Sequence, residues 1–393
     1  MEPEVAVVFW TVVALRFLVP LLIPLFPLPA IIACLIIDGV DQTVFQSFGF
    51  DPPGYQGYDK AMDVYYLCIA YMSTLRNWTS LTALRISRFL FFYRLIGVLA
   101  FELLQIRALL LVFPNTFEYF FIAYEAVRSR WNPAAMSNRF WLLAMAGIWI
   151  FVKLPQEYWI HVAQMDVTDT LRDVPWAAPA LVAAILGLLA AFWFGVKPRL
   201  AAPDWGWRIP ADPIPASVNS AEARAGWLKA HGAIRSIDTV EKAVLIGLLS
   251  VIFAQMLPDL KTSDLRLFSS LAILVVVNVA WSLFLARHSV TVEAAWAVAA
   301  GRLAFNLGFV WVAHWLLDRN GGSLNVTATV FFLALLSLVI TLHDRWRPVA
   351  GARFGAEEAR RWWVLTAPES ANVGMGPGAD EASPATGSAG RPG

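Results

Sequence analysis

The feature that most constrains this chain is a series of ten apolar blocks, most of them near the ~20 residues a helix needs to cross a ~30 Å hydrocarbon core. They run at about 5–36, 60–75, 89–112, 115–130, 140–161, 175–196, 241–257, 267–286, 290–317 and 323–342. Only 15% of the residues are charged, against about 25% in an ordinary soluble domain. Backbone groups inside lipid must satisfy one another, which leaves helices for segments of this kind. The expected fold is all-α: a polytopic transmembrane bundle of about ten spans, multi-pass in a plasma membrane, with the lipid bilayer as its first partner. The same arithmetic excludes a soluble enzyme, a fibre and a disulfide scaffold.

Orientation is read from the basic residues of the short loops. With both termini cytoplasmic, the inner loops hold 19 Lys and Arg and the outer loops 5. The opening MEPEVAVVFW has no positive region and no cleavage site, so the first block is read as retained. Trp78, Trp131, Trp193 and Trp346 then fall at the inner boundary, and Trp159, Trp176 and Trp315 at the outer one. Arg outnumbers Lys 24 to 6, which points to a bacterial chain from a GC-rich genome. A net charge of +1 carries no nucleic-acid signature. Cys34 and Cys68 have no zinc or disulfide spacing around them.

Along the chain, residues 1–196 form a charged six-span part and 241–343 a four-span part. Between them, 197–240 reads as a cytoplasmic loop whose proline-rich first half precedes a short amphipathic helix, opened by Asn219 and Glu222 as a capping box. Residues 344–365 are a basic juxtamembrane segment, and 366–393 a disordered C-terminal tail rich in Ala, Gly, Pro and Ser. The first block carries Pro20, Pro24, Pro27 and Pro29. It is expected to be one kinked helix, or a span followed by a re-entrant segment, rather than two crossings.

Intramembrane ionisable groups mark function more often than surface charges do. Arg16, Glu102 and Arg302 fall near the bilayer centre, with Asn278 at similar depth and Asn306 one turn from Arg302. Two Arg against one Glu would suit an anionic small molecule or a lipid headgroup, so these five residues are the expected substrate pathway. The competing explanation is a structural Arg–Glu pair. A second group, Asp38, Asp41, Asp59 and Asp63, has i,i+3 and i,i+4 spacing at an outer boundary and suits a divalent metal ion. Ordinary solvated helix ends would show the same residues. Glu118 and Glu125 are candidates for relay or pairing, with Arg128 and Arg130 near the latter. Lys153, Glu157 and His161 form a stripe read as structural. His231, His288, His314 and His343 are isolated.

No nucleotide-binding loop, catalytic triad order or HExxH is present. The sequence favours a transport-type protein without catalysis. The alternatives are a metal-dependent enzyme acting on a lipid-linked phosphate at the outer face, and a non-catalytic membrane scaffold.

Overall fold

The structure, a computed structural model, describes residues 3–48, 55–159, 170, 174–231, 237–255, 273–281, 284, 295–317 and 326–363. Among them every regular element is helical. The principal helices are α1 (Pro3–Leu18), α2 (Pro27–Ser47), α3 (Tyr55–Asn77), α4 (Leu81–Leu104), α5 (Ala108–Val112), α6 (Thr116–Arg128), α7 (Asn138–Gly147), α8 (Leu154–Glu157), α9 (Ala177–Ala190), α10 (Ala221–His231), α11 (Ile237–Gln255), α12 (Ala295–Leu317) and α13 (Val326–Trp363). Residues Met1–Phe354 form one compact unit and Gly355–Gly393 another. The tail 366–393, His161 and His288 lie outside the described residues.

The all-α expectation holds, but the count of ten spans finds no support. Among the described residues one stretch, Thr329–Gly355, is long and apolar enough to cross a membrane, and Ala6–Leu22 and Ala177–Gly187 are shorter apolar helices. Half of block 267–286, and the starts of blocks 290–317 and 323–342, lie outside the described residues; for the others the reasons are local. Block 89–112 breaks after α4 at Gln105, whose φ of 55° is left-handed. The 13 residues of α6 give a rod of only about 20 Å. Blocks 140–161 and 175–196 carry π turns at Ile148–Lys153 and Ala191–Val196.

The first block is neither one bent helix nor a span with a re-entrant tail. Pro20 and Pro24 interrupt it, Ile23 N–H closes a tight turn onto the Pro20 carbonyl at 2.9 Å, and Pro27 opens α2 where a missing N–H costs nothing. The Phe9 and Phe45 rings lie 5.9 Å apart, and Arg16 meets Asp38 and Asp41. Partners that descend in one helix as they ascend in the other define an antiparallel hairpin. Helix α3 runs parallel to α1: the Phe17 and Tyr65 rings stack at 5.3 Å, and Asn77 Nδ2 donates to the Pro24 carbonyl at 3.2 Å.

Helix α4 returns antiparallel to α3, opened by Ser80, whose hydroxyl accepts from Ala83 N–H. Its Phe91 stacks on Tyr71 at 4.3 Å and meets Phe117 of α6 at 5.5 Å. Trp78 and Trp346, read above as belt residues, are buried. Trp78 stacks on Tyr124 at 3.8 Å, and its indole N–H donates to Glu125.

Residues 201–211 cross the end of the bundle as a strap. Asp204 N–H bonds to the Arg130 carbonyl, Arg208 N–H to that of Ser129, and Ala211 N–H to that of Leu25. Arg353 reaches the same end, donating to the carbonyls of Arg76, Trp78 and Pro213. The turn after α1 therefore shares an end with the strap, and the start of α1 lies at the opposite end. This corrects the expectation that the N-terminus lies on the same side as the 76–88 and 197–240 loops. Helix α10 is capped by Ser220, whose hydroxyl accepts from Ala223 N–H, and not by Asn219 as expected.

Candidate functional site

The hairpin and the parallel α3 bring residue 16 between two pairs of carboxylates. Asp38 and Asp41 lie one turn apart on α2, and Asp59 and Asp63 one turn apart on α3. The Arg16 guanidinium donates to all four: Nη1 to Asp41 and Asp59, Nη2 to Asp38 and, at 2.6 Å, to Asp63. Arg16 and Asp41 are buried, whereas the side chains of Asp38, Asp59 and Asp63 remain 27, 32 and 40% exposed. The oxygens of these three lie within 4.8 Å of one another. With every carboxyl ionised, four carboxylates against one guanidinium give these five groups a formal charge of −3. Hard oxygen donors at such mutual spacing are the ligand set that Mg²⁺, Mn²⁺ and Ca²⁺ take.

Beside the guanidinium, Leu15, Val19, Pro20, Cys34, Ile37 and Tyr66 line a small cleft. Tyr66 stands three residues after Asp63, and its hydroxyl donates to Glu118 at 2.7 Å. The other Glu118 oxygen accepts from Asn115 Nδ2 at 2.9 Å, so Glu118 belongs to a buried polar line leading away from the cluster. Glu157 extends it by accepting from Asn115 N–H, with Lys153 at 3.3 Å.

The other expected residues divide into separate groups. Glu102 pairs with Lys60 at 2.9 Å. Glu125 pairs with Arg128 at 2.5 Å and closes the strap end with Trp78. Arg302 pairs with Asp344 at 2.7 Å. Asn278 donates to Asn306, which donates to Ser337, at 2.9 and 3.0 Å. Arg16, Glu102 and Arg302 thus each have a different charged partner, and Arg16 is joined to the carboxylate group, which the sequence treated as a separate feature.

Sequence reasoning missed a second buried charge network, between α3, α4, α11, α12 and α13. Glu241 accepts from Tyr71, with Arg88 at 3.4 Å and His343 at 3.5 Å. Lys242 meets Asp344 at 2.5 Å, and Arg347 meets Asp238 at 2.5 Å. Asp238 and Glu241 stand at the start of α11. The available clue was the charge run Asp344–Arg347 directly after an apolar block, matching Asp238–Lys242 directly before another. Comparison with known proteins returns no match: no family model, no curated protein and no solved structure matches the chain.

Proposed function

We propose that this chain is a multi-pass plasma-membrane protein, and a metal-dependent enzyme that acts on a lipid-linked phosphate at the half of the bundle remote from the strap. The membrane part is supported by apolar surface with no aqueous explanation. Helix α9, AAPALVAAILGLLA, has no charged residue and is exposed along nearly its whole length. Each Leu or Ile left in water there would forgo about 1.5–3 kcal/mol of burial. Trp10, Phe151, Trp176 and Trp311 are likewise more than 60% exposed. Arg76, Arg128, Arg130 and Arg353 gather at the strap end, which the positive-inside rule assigns to the cytoplasm. The start of α1 and the carboxylates then face the outer half.

The observation that carries the catalytic part is the convergence of Asp38, Asp41, Asp59 and Asp63 on one guanidinium, a formal surplus of three negative charges. One divalent ion reduces that surplus to one, and such ions polarise phosphoryl oxygens. Asp38, Asp59 and Asp63 offer accessible oxygens, while buried Asp41 and Arg16 hold α1, α2 and α3 in register. The cleft walls at Leu15, Val19, Pro20 and Ile37 place apolar surface next to the charge, as an amphiphilic substrate requires.

The test is thermal unfolding of the purified protein with and without millimolar Mn²⁺ or Mg²⁺, followed by turnover of a panel of lipid-linked phosphates. Binding to the native state raises stability by mass action. The double variant Asp41→Asn, Asp59→Asn should lose both the increment and turnover. Melting curves indifferent to metal in the native protein would end this reading.

A second reading, transport of an anionic small molecule or headgroup, rests on the fully buried Arg302 and the chain Asn278–Asn306–Ser337 beside it. It requires ligand-dependent stabilisation that Arg302→Met removes while the metal response stays intact.

A further inference from the structure

We infer that the strap, together with residues 193–200 that lead into it, is a docking surface for anionic phospholipid headgroups. The segment is fixed from beneath. Trp131 Nε1 donates to the Ala201 carbonyl, Asn132 N–H to the Asp204 carboxylate, and Trp205 Nε1 to the Arg128 carbonyl. Arg128 in turn donates to the Pro210 carbonyl at 3.1 Å. Of the acidic residues here, Asp204 has an oxygen committed to this backbone anchorage, and Asp212, just past the strap, lies 3.6 Å from Arg128 and 3.7 Å from Arg208.

What points outward is a mixture of large apolar and cationic side chains. Trp193, Phe194, Leu200, Trp207 and Ile209 are 57, 77, 42, 72 and 52% exposed, and Lys197, Arg199 and Arg208 are exposed among them. Cation and ring are paired: Lys197 Nζ lies 3.3 Å over Trp193, Arg208 3.9 Å over Trp205, and Arg130 4.9 Å over Trp207. The ring beside Lys197, Arg208 and Arg130 provides a flat amphipathic body for the headgroup level and a charge for the phosphate, the arrangement of interfacial aromatic anchors. Juxtamembrane cations gain from the negative potential of an anionic leaflet, by about fivefold in affinity for each Lys or Arg. A protein partner would not select for anionic over zwitterionic lipid, and that difference is the basis of the test.

The inference rests on the membrane part of the proposed function, and the experiment separates the two. The full chain is placed in nanodiscs containing phosphatidylcholine with a fixed fraction of phosphatidylglycerol, with bromine on one lipid or the other. The fluorescence quenching lost on Trp207→Phe isolates Trp207. It should be larger with brominated phosphatidylglycerol. The preference should vanish in the triple variant Lys197→Gln, Arg199→Gln, Arg208→Gln and fall at high salt, where screening shortens the reach of charge. Loss of quenching on Trp10→Phe and Trp176→Phe, two exposed tryptophans remote from the strap, reports embedding independently. If those are quenched while Trp207 is untouched, or is quenched equally by both lipids, the headgroup surface is refuted and the membrane reading stands. If none is quenched, both fall.

Discussion

Replacing Arg16 with Met tests the carboxylate cluster at its centre. At an effective dielectric of about 20, each guanidinium–carboxylate attraction at ~4 Å amounts to about 4 kcal/mol. Repulsion between carboxylates whose oxygens lie within 4.8 Å amounts to about 3 kcal/mol per pair. The three repulsions among Asp38, Asp59 and Asp63 offset more than half of the four attractions before those with Asp41 are added, so Arg16 brings the cluster near balance without making it strongly favourable. Removing it leaves four carboxylates unopposed among these groups. Breaking a buried ion pair from one side costs about 3–5 kcal/mol, and Arg16→Met should lose that much in metal-free buffer. A divalent ion supplies twice the missing charge. Mn²⁺ should therefore restore most of the lost stability, and its increment should exceed that in the native protein, because the competing guanidinium is gone. The assay is detergent thermal unfolding of both proteins across a Mn²⁺ titration, with Asp59→Asn as the control. An Arg16→Met protein that melts as the native one does, or whose deficit is identical at every Mn²⁺ concentration, would refute the charge argument.

Three further outcomes are expected. Arg302→Met should destabilise by up to about 3 kcal/mol, since Asp344 keeps Lys242 at 2.5 Å; Arg302→Met and Asp344→Asn should be non-additive in a double-mutant cycle on unfolding, whereas Arg302→Met and Glu102→Gln should simply add. Gly97→Ala should cost about 1–3 kcal/mol by overpacking, since a Cβ there would stand 2.1 Å from Phe113 Cβ; a neutral melting temperature would mean that α4 and residue 113 separate freely. Cysteines at Glu4 and Ser217 should react with an impermeant thiol reagent from opposite sides of the membrane, and labelling of both from one side would contradict the hairpin reversal within the first block.

The helical character of the chain was legible because block length and apolar content report directly on helices. The reversal at Pro24 was not. Prolines announce a break, but whether the chain bends or doubles back depends on what lies on the far side, here the pairing of Phe9 with Phe45 and of Arg16 with Asp38. The carboxylate cluster was visible as two spacings, since i,i+3 and i,i+4 repeats place residues on one helix face. That both faces meet Arg16 follows from helix packing, to which a depth count along each block is blind. The same count set Arg16, Glu102 and Arg302 at one level and implied a meeting that the helix order does not make. The Glu241–Asp344 network escaped because Arg88, Asp238, Glu241, Lys242, His343, Asp344 and Arg347 sit at block ends, where a charge ordinarily belongs to solvent.

Arg353 gives the assembly a timetable. Its guanidinium holds the carbonyls of Arg76 and Trp78, made 277 and 275 residues earlier. At a synthesis rate of about 5–20 residues per second, the ribosome needs roughly 15 to 55 seconds to reach it. Through that interval the exit of α3 waits without its final donor, and water is the natural substitute. A chain that ends before residue 353 lacks this donor at the exit of α3. Pausing of translation shortly before residue 353 would lengthen that exposure, whereas pausing after it would not.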